Sequence, residues 1–268
     1  MMDTKQLQLE IRLRAARIIH QAKSSHIGGV FSSADILALL YGEILSKDNS
    51  GFADTFILSK GHCCAGVYSA LNCQGYLEDE QLNTYALDGS PLMAHISHKV
   101  KHVEFSTGSL GHGLPFAVGK AVLRKRKAVT RKIYCLLSDG ELDEGSNWEA
   151  FMFAGYHKLD NLTAIVDYNK LQSLTTTYNT LDLEPLEDKL NAFNWHVIRC
   201  NGHSLAELRS AFAADSDSKP KLILCDTTKG YPISFMTNKV EWHYKPPSPS
   251  QLDELTIELK NFYQCEIV

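Results

Sequence analysis

Two short apolar runs, each followed closely by a polar residue, constrain this chain more than any other feature. The runs span 133–137 and 162–166, and they end just before Asp139 and Asn169, which lie 30 residues apart (169 − 139). A helix-like segment over 147–157 separates the two runs. A strand, a helix and a strand at this spacing predict one βαβ unit with parallel strands. Because parallel strands end at the same edge of a sheet, we expect the two polar side chains to lie close together.

The rest of the chain repeats this alternation. Apolar residues at a helical period predict a helix over 7–22, and Ser33 is the expected cap of a second helix over 33–41. Further strands are predicted at 55–58, 196–200 and 222–226, and further helices at 62–75, 113–127, 186–193, 205–214 and 252–262. Pro246–Pro249 is expected to separate the last helix from the core. The pattern predicts an α/β fold, a mostly parallel sheet with helices on both faces, as one domain over residues 1–268.

Charge and composition exclude several classes of protein. The net charge of −4 gives no electrostatic basis for binding nucleic acid or an anionic membrane. No apolar run approaches the roughly 18 residues that a membrane span needs. The first residues lack the apolar core of a signal peptide, and the seven cysteines lack zinc-ligand spacing. We therefore expect free thiols and a cytoplasmic protein.

The residues after the two central strands suit a hard cation. Magnesium prefers about six oxygen ligands and keeps phosphate oxygens and water in its shell. The carboxylate of Asp139, the amide oxygen of Asn169 and the carbonyl of Leu171 can supply protein oxygens. Gly140 lets the main chain approach an anion closely, and the helix that starts near Gly145 points its amide end toward it. Asp-Gly alone is more typical of a turn, so this interpretation depends on the spacing to Asn169.

Several sequence blocks, in order along the chain, resemble those of the transketolase family. The segment from Asp139-Gly140 through Glu144-Gly145 to Asn169-Lys170-Leu171 resembles the family's thiamine diphosphate signature. The other blocks are Ser25-His26-Ile27-Gly28-Gly29, Leu58-Ser59-Lys60-Gly61-His62, Ser106-Thr107-Gly108-Ser109-Leu110-Gly111-His112-Gly113, Lys229-Gly230 and Val240-Glu241-Trp242-His243. Together they extend the resemblance over residues 5–248, which is nearly the whole chain.

The resemblance implies one half of a split enzyme. A single-chain transketolase is more than twice as long, with a diphosphate-binding, a pyrimidine-binding and a C-terminal domain. This chain resembles the first of these, so it is expected to be an N-terminal subunit whose partner chain carries the other two. The implied reaction moves a two-carbon ketol unit from a ketose phosphate to an aldose. We expect the chain to be inactive alone and to form a two-plus-two heterotetramer with its partner.

The resemblance also implies roles for individual residues around the cofactor. Asp139 and Asn169 would ligate Mg²⁺ or Ca²⁺ with their side chains, and Leu171 with its carbonyl. The other cofactor-binding positions are Gly140 through its main-chain N–H, His62, His243 and Lys229 at the diphosphate, and Gly108 and Leu110 at the aminopyrimidine. Glu144 would lie at the subunit interface, hydrogen-bonded toward the activating glutamate of the partner.

Three histidines are expected to face the substrate: His26, His95 and His243. Imidazoles near their ordinary pKa suit proton transfer to and from hydroxyl groups. Three positions beside them depart from the family pattern, because Ala94 replaces a glycine, Ile96 a proline and Tyr244 a glycine. A large ring at Tyr244 would narrow the substrate channel or pack against the partner. A specialised sugar substrate, or a transketolase-like carbon–carbon ligase of a biosynthetic pathway, stays open.

Two other functions remain as alternatives. The α-subunit of a 2-oxo acid dehydrogenase is also a split thiamine enzyme, but its metal motif usually reads Gly-Asp-Gly with an Asn-Gln-Gly continuation. Glu144-Gly145 and the histidine blocks speak against it. A non-catalytic subunit that kept the fold is the second alternative. The presence of Asp139, Asn169 and His62 argues against that one.

Overall fold

The computed structural model describes residues 2–49 and 51–265. The strands are β1 Lys47–Asp48, β2 Gly51–Phe52, β3 Thr55–Leu58, β4 Ile133–Ser138, β5 Leu162–Tyr168, β6 His196–Asn201 and β7 Lys221–Asp226. The helices are α1 Thr4–Ala22, α2 Ile27–Leu39, α3 Cys64–Cys73, α4 Asp79–Leu82, α5 Gly113–Arg126, α6 Gly145–Tyr156, α7 Thr177–Thr180, α8 Leu186–Ala192, α9 Leu205–Ala213 and α10 Pro249–Cys265. The predicted strands and longer helices are thereby confirmed, apart from the start of α2.

The main sheet is parallel and has the order β3-β4-β5-β7-β6. Helices α1, α2, α3, α9 and α10 contribute to one apolar core, and α5, α6 and α8 contribute to a second. Alternate residues of the central strands divide between the two, since Leu136 and Ile165 belong to the first core while Leu137 and Val166 belong to the second. The predicted fold class, a parallel sheet with helices on both faces, is therefore confirmed.

Helix α1 shows how the sequence produces these layers. The Asp3 side chain accepts a hydrogen bond from the Gln6 amide at 2.7 Å and caps the helix. Leu7, Ile11 and Ala15 recur at helical spacing and are completely buried against the first core. The helical spacing of the apolar residues thus determines both that the segment forms a helix and which face of the helix is buried.

Helix α2 begins earlier than the sequence predicts. It starts at Ile27, so the prediction of Ser33 as its cap is wrong. Ser33 is buried within the helix, and its hydroxyl donates to the Gly29 carbonyl at 2.8 Å. The continuous helical segment Ile27–Ile44 has a mean hydropathy of 1.4, long and apolar enough for a membrane span by composition. It is nonetheless 83% buried inside the protein, as a central core helix is.

The remaining predictions about the chain's organisation concern its cysteines and its last linker. Six cysteines described by the structure are free, and five of these are buried. Pro246–Pro249 follows the short 3₁₀ turn Val240–His243 and leads into α10, which begins at Pro249. The segment links the last helix to the preceding turn, but α10 contributes Leu255, Leu259 and Tyr263 to the first core, so the predicted separation of that helix from the core is wrong.

Candidate active site

The carboxyl ends of β4 and β5 bring the two key polar residues together. The strands are parallel neighbours, and Ser138 pairs in register with Asp167. Asp139 and Asn169 therefore leave the same edge of the sheet side by side, and both are buried. A cavity of about 230 Å³ lies at this edge.

All but one of the residues predicted to form the site line this cavity. They are His26, His62, His95, Gly108, Leu110, Asp139, Gly140, Asn169, Leu171, Lys229 and His243. Glu144 does not line the cavity; it is exposed and lies beside Gly111 at the start of α6. The structure therefore assembles at one place residues that are up to 217 positions apart (243 − 26).

The Asp139 carboxylate joins the two strand-end loops. One oxygen accepts from the Gly140 amide at 2.7 Å, and the other accepts from the Lys170 amide. Burial raises the pKa of Asp139 to about 7, and the negative charge of Asp167 adds to this effect. The carboxylate therefore lacks sufficient positive charge nearby, and a cation at this point would favour its ionised form.

The Asn169 side chain is held in one orientation. Its amide nitrogen donates to the Asp167 carboxylate at 3.3 Å, and its oxygen accepts from the Leu171 amide at 3.1 Å. Asn169 lines the cavity with its amide group held in this way. The second lone pair of its amide oxygen is available to a metal ion.

The Leu171 carbonyl, a predicted metal ligand, has a partner in this structure. It accepts from the ammonium of Lys229 at 2.9 Å. Lys229 also donates to the Gln172 carbonyl at 3.2 Å and to Nδ1 of His243 at 3.2 Å. Lys229 is buried, and burial lowers its pKa despite the negative charge of Asp139. The ammonium of Lys229 therefore lies along the wall of the cavity that the loop after β5 forms.

Gly140 and Gly108 let the main chain come close to the cavity contents. A Cβ at Gly140 would lie 2.9 Å from Cγ of Gln172, so a side chain there would compress the loop after β5. A Cβ at Gly108 would lie 3.5 Å from the His95 ring, an ordinary contact. Of these two, only Gly140 therefore has a packing reason to be glycine in this structure.

Four histidines form a cluster on the other side of the cavity. The His26 ring centroid lies 5.1 Å from that of His62, 5.7 Å from His95 and 5.0 Å from His243. His26 adopts a left-handed backbone (φ 75°) at the start of α2, and its amide donates to the His243 carbonyl at 2.8 Å. This main-chain hydrogen bond therefore connects the start of α2 to the turn before α10.

The cluster keeps its imidazoles neutral near pH 7. Burial, together with neighbouring positive charge, lowers the pKa of His26 to about 4 and that of His243 to about 3. Burial also places the pKa of His62 well below its ordinary value and lowers the pKa of His95. Because Lys229 donates to Nδ1 of His243, the proton of that neutral ring lies on Nε2.

A buried ion pair beneath the site was not predicted from the sequence. Lys60 lines the cavity floor and forms an ion pair with Asp167, with both side chains almost completely buried. Asp167 also accepts from the hydroxyls of Ser32, at 2.6 Å, and Thr227. Burial, the largest single effect, would lower the pKa of Lys60, but the charge and hydrogen bond of Asp167 together with the charges of Cys63 and Asp139 outweigh it, and the pKa lies above its ordinary value. Both residues stand inside the motif blocks, which is the only sequence signal that could have pointed to them.

Glu141 is a second buried residue that sequence reasoning missed. Its carboxylate accepts from the Ser59 hydroxyl at 2.5 Å, the Gly111 amide at 2.9 Å and the Ser138 amide at 3.3 Å. Burial raises its pKa. This one side chain holds together the loops after β3 and β4 and the loop before α5.

Two of the positions that depart from the family pattern, Ile96 and Tyr244, directly follow histidines of the cluster. Ile96, in place of proline, is buried and donates its amide to the Gly61 carbonyl at 3.0 Å, a bond that proline could not form. Tyr244 is 55% exposed, and its ring lies 4.8 Å from that of His243. The changed residues therefore lie on the histidine side of the cavity and leave the strand-end oxygens unaltered.

The strand-end oxygens fit a metal that is shared with a phosphate ligand. Within the described residues, no group of three or more His, Cys, Asp or Glu side chains is placed to hold a metal ion unaided. A cation at Asp139 and Asn169 would complete its shell with diphosphate oxygens and water. The fold and site together thus define an α/β domain with a polar ligand cavity at the carboxyl edge of its parallel sheet.

Comparison with known proteins identifies the family. The family model described as "Transketolase, thiamine diphosphate binding domain" matches residues 3–260. The chain belongs to this family, whose thiamine diphosphate-dependent enzymes are transferases of ketol groups. It corresponds to the N-terminal, cofactor-binding part of a transketolase.

Relatives agree with this placement. The chain is 37% identical to an apulose-4-phosphate transketolase subunit of Phocaeicola vulgatus, over 96% of this chain and 94% of that protein. It is 41% identical to 6-deoxy-6-sulfo-D-fructose transketolase subunit SqwG of Clostridium sp., over 81% of this chain and 82% of that protein. The structure of transketolase from Leishmania mexicana aligns with a TM-score of 0.91 at 29% identity, covering 97% of this chain but 42% of that one.

Proposed function

We propose that this chain is the N-terminal subunit of a two-chain transketolase. It binds thiamine diphosphate through Mg²⁺ or Ca²⁺ and transfers a two-carbon ketol unit from a ketose phosphate to an aldose, together with a C-terminal partner subunit. The observation that carries the proposal is the convergence of Asp139, Asn169, Lys229 and the histidine cluster on one cavity at the strand ends.

The cofactor side of the cavity supplies metal ligands and anion partners. Asp139 and Asn169 hold the cation by their side-chain oxygens. The Leu171 carbonyl accepts a hydrogen bond from Lys229, so it binds the metal either with its second lone pair or after Lys229 has moved away. Lys229, the Gly140 amide and the neutral His62 serve as donors to the diphosphate. Thiamine diphosphate, when bound, supplies the nucleophilic thiazolium carbon and the electron sink for the ketol unit.

The histidine side of the cavity serves the substrate. His26, His95 and His243 bind the sugar hydroxyls and move protons to and from them. Nε2 of His243 carries the ring proton, so it donates to an oxygen, and a neutral His26 accepts a proton. A bound diphosphate would raise the pKa of adjacent imidazoles toward neutrality, where proton transfer in both directions is efficient.

A partner for this chain is supported by the relatives. Two of them are named as individual subunits of a transketolase, and this chain aligns with 94% of one and 82% of the other. The exposed Glu144 at the start of α6 is the residue that we assign to contact the partner's catalytic glutamate. The assembly that we propose contains two copies of each chain, and its location is the cytoplasm.

The proposal is tested by reconstitution with a C-terminal transketolase subunit that carries the pyrimidine-binding and C-terminal domains. Ketol transfer from xylulose 5-phosphate to ribose 5-phosphate, and from other ketose phosphates, should be absent with this chain alone and appear with the pair. His26→Asn should lower the rate of the pair, whereas His98→Asn should leave it unchanged because that exposed ring bonds Ser106 outside the cavity. Full activity of the chain by itself would overturn the two-chain proposal.

A further inference from the structure

We propose that Cys200 and Cys225 form a redox-active dithiol, which hydrogen peroxide converts to a disulfide. The two thiols lie on β6, the edge strand of the main sheet, and on its neighbour β7. Neither of them lines the cofactor cavity. The inference does not depend on the proposed transketolase function, and it gives a chemistry to two residues that ketol transfer does not use.

The strand register places the two cysteines directly opposite each other. β6 and β7 are parallel neighbours, and Cys200 pairs with Cys225 in register. Neighbouring strands lie about 4.8 Å apart, within the range of roughly 4.4–6.8 Å between Cα atoms that a disulfide spans. Both side chains belong to the first core, so they project from the same face of the sheet. A bond between the two sulfur atoms therefore requires side-chain rotation and no shift of either strand.

Residues that flank the pair hold the two strands in this register. Arg199, which precedes Cys200, donates two hydrogen bonds to the carboxylate of Asp226, which follows Cys225, at 2.7 and 2.9 Å. Two-pronged contacts of this kind fix geometry as well as adding energy. On the other side of Cys200, the Asn201 amide donates to the Glu207 carboxylate at 2.8 Å. The opposed position of the thiols is therefore built into the folded chain.

A surface cavity gives access to one of the two thiols. The cavity has a volume of about 370 Å³, lies between β6 and α9, and is lined by Cys200 together with Ile198 and Ala211 among other residues. Cys200 is 8% exposed, whereas Cys225 is completely buried. A small oxidant that enters the cavity therefore meets Cys200 first, with Cys225 directly beside it on the next strand.

The two thiols differ in acidity because one donates a hydrogen bond to the other. The Cys225 thiol donates to the Cys200 sulfur, and this bond lowers the pKa of Cys200 despite burial and the negative charges of Glu207 and Asp226. The same bond, together with burial, places the pKa of Cys225 well above its ordinary value. Burial also raises the pKa of the other four cysteines that the structure describes, which are Cys63, Cys64, Cys73 and Cys135. Cys200 is therefore the most acidic of the described thiols, and the thiolate is the form that attacks an oxidant.

The oxidation proceeds in two steps and consumes one peroxide. The Cys200 thiolate attacks one oxygen of hydrogen peroxide, the O–O bond breaks, and the departing hydroxide takes up the proton that Cys200 lost, so a sulfenic acid and water are formed. The sulfur of Cys225 then attacks the Cys200 sulfur, the S–O bond breaks, and a second water leaves with the thiol proton. The two thiols thus lose two electrons and two protons in total. The product is a covalent bond between the edge strand and its neighbour, which a thiol reductant reverses.

Peroxide treatment of the purified full chain tests the proposal. After the remaining thiols are alkylated, proteolysis and mass spectrometry should find the Cys200 peptide joined to the Cys225 peptide, and dithiothreitol should separate them. Cys73→Ser is the matched control, because Cys73 is a partly buried thiol on α3 and its loss should leave the linked product unchanged. Absence of the linked peptides, or linkage of Cys200 to a different cysteine in their place, would overturn the inference.

Substitutions at the pair separate the roles of the two thiols. Cys225→Ser keeps a hydrogen-bond donor but cannot close the disulfide, so the sulfenic acid on Cys200 should persist and react with dimedone. Cys225→Ala lacks the donor, so labelling of Cys200 should be about tenfold slower because its thiolate is then scarcer. Equal labelling rates in these two variants would contradict the role of the hydrogen bond. Labelling of Cys225 in Cys200→Ser, at the rate found for Cys200 in Cys225→Ser, would refute the assignment of Cys200 as the attacking thiol.

Discussion

Replacing Asp167 with asparagine is expected to destabilise the fold and to weaken the metal site. Asp167 is completely buried, and its carboxylate accepts from Lys60, Ser32, Thr227 and Asn169. Asp167→Asn keeps the size of the side chain but removes its charge. The ammonium group of Lys60, itself 1% exposed, is then left in the interior without its counter-charge.

The expected loss of stability follows from this burial. Removing one partner of a buried ion pair costs about 3–5 kcal/mol, whereas breaking an exposed pair costs roughly 0–1 kcal/mol. Asp160→Asn is a matched control, because its carboxylate is 44% exposed and pairs with the half-exposed Lys125 at 2.8 Å. Urea denaturation of both variants measures the difference. Equal free energies of unfolding for the two variants would refute this reasoning.

The same substitution has a second consequence at the metal site. The Asp167 carboxylate accepts a hydrogen bond from the amide nitrogen of Asn169. This bond fixes the orientation of the Asn169 side chain and hence the position of its amide oxygen. Loss of a residue that orients a metal ligand typically lowers metal affinity about 10–100-fold. Calorimetric titration of Mg²⁺ in the presence of thiamine diphosphate should show this loss for Asp167→Asn and none for Asp160→Asn. An unchanged affinity in a folded variant would rule out the orienting role.

Three further predictions concern packing and protonation. Gly155→Ala should destabilise the protein by about 1–3 kcal/mol in thermal unfolding, because the new Cβ would lie 1.7 Å from the Phe193 carbonyl oxygen. A proton NMR titration should find the His26 ring neutral until the pH falls to about 4, and a midpoint near 6.5 would contradict the lowered pKa. Despite burial, the charge of Arg12 lowers the pKa of Asp35 from 3.8 to about 2. The ion pair therefore stabilises the fold at pH values above 3.8, which is the pKa of this carboxyl in the unfolded chain. Roughly 2 kcal/mol of that stability should be lost as the pH falls from 4 to 2, and Asp35→Asn should lack this dependence.

The strand-end pair could be predicted because it depends on local order alone. Asp139 and Asn169 each follow an apolar run, and a single crossover helix makes the two strands neighbours. The histidines were placed by resemblance to family motifs, since nothing in their spacing brings His26 and His243 together. Their contact results from the hydrogen bond between the amide of one and the carbonyl of the other.

Other features depend on tertiary packing and left no local signal. Gly28 and Gly29 resemble a loop in sequence, yet they lie in the first turn of α2. A Cβ at Gly28 would approach Cγ of Lys229 to 3.0 Å, so close packing and not a turn accounts for this glycine, and the helix starts before the predicted Ser33. The Lys60–Asp167 pair joins residues 107 positions apart across strands that are not neighbours. Such a contact requires the strand order, which the sequence pattern does not determine.

The central claim is that Asp139 and Asn169 hold a cation that anchors the diphosphate of the cofactor. Isothermal titration of thiamine diphosphate into the full chain, with and without Mg²⁺, tests it most directly. Binding should require Mg²⁺ in the unmodified chain and in Asp160→Ala, and it should be lost in Asp139→Ala. Equal Mg²⁺-dependent affinity in Asp139→Ala and the unmodified chain would contradict the account.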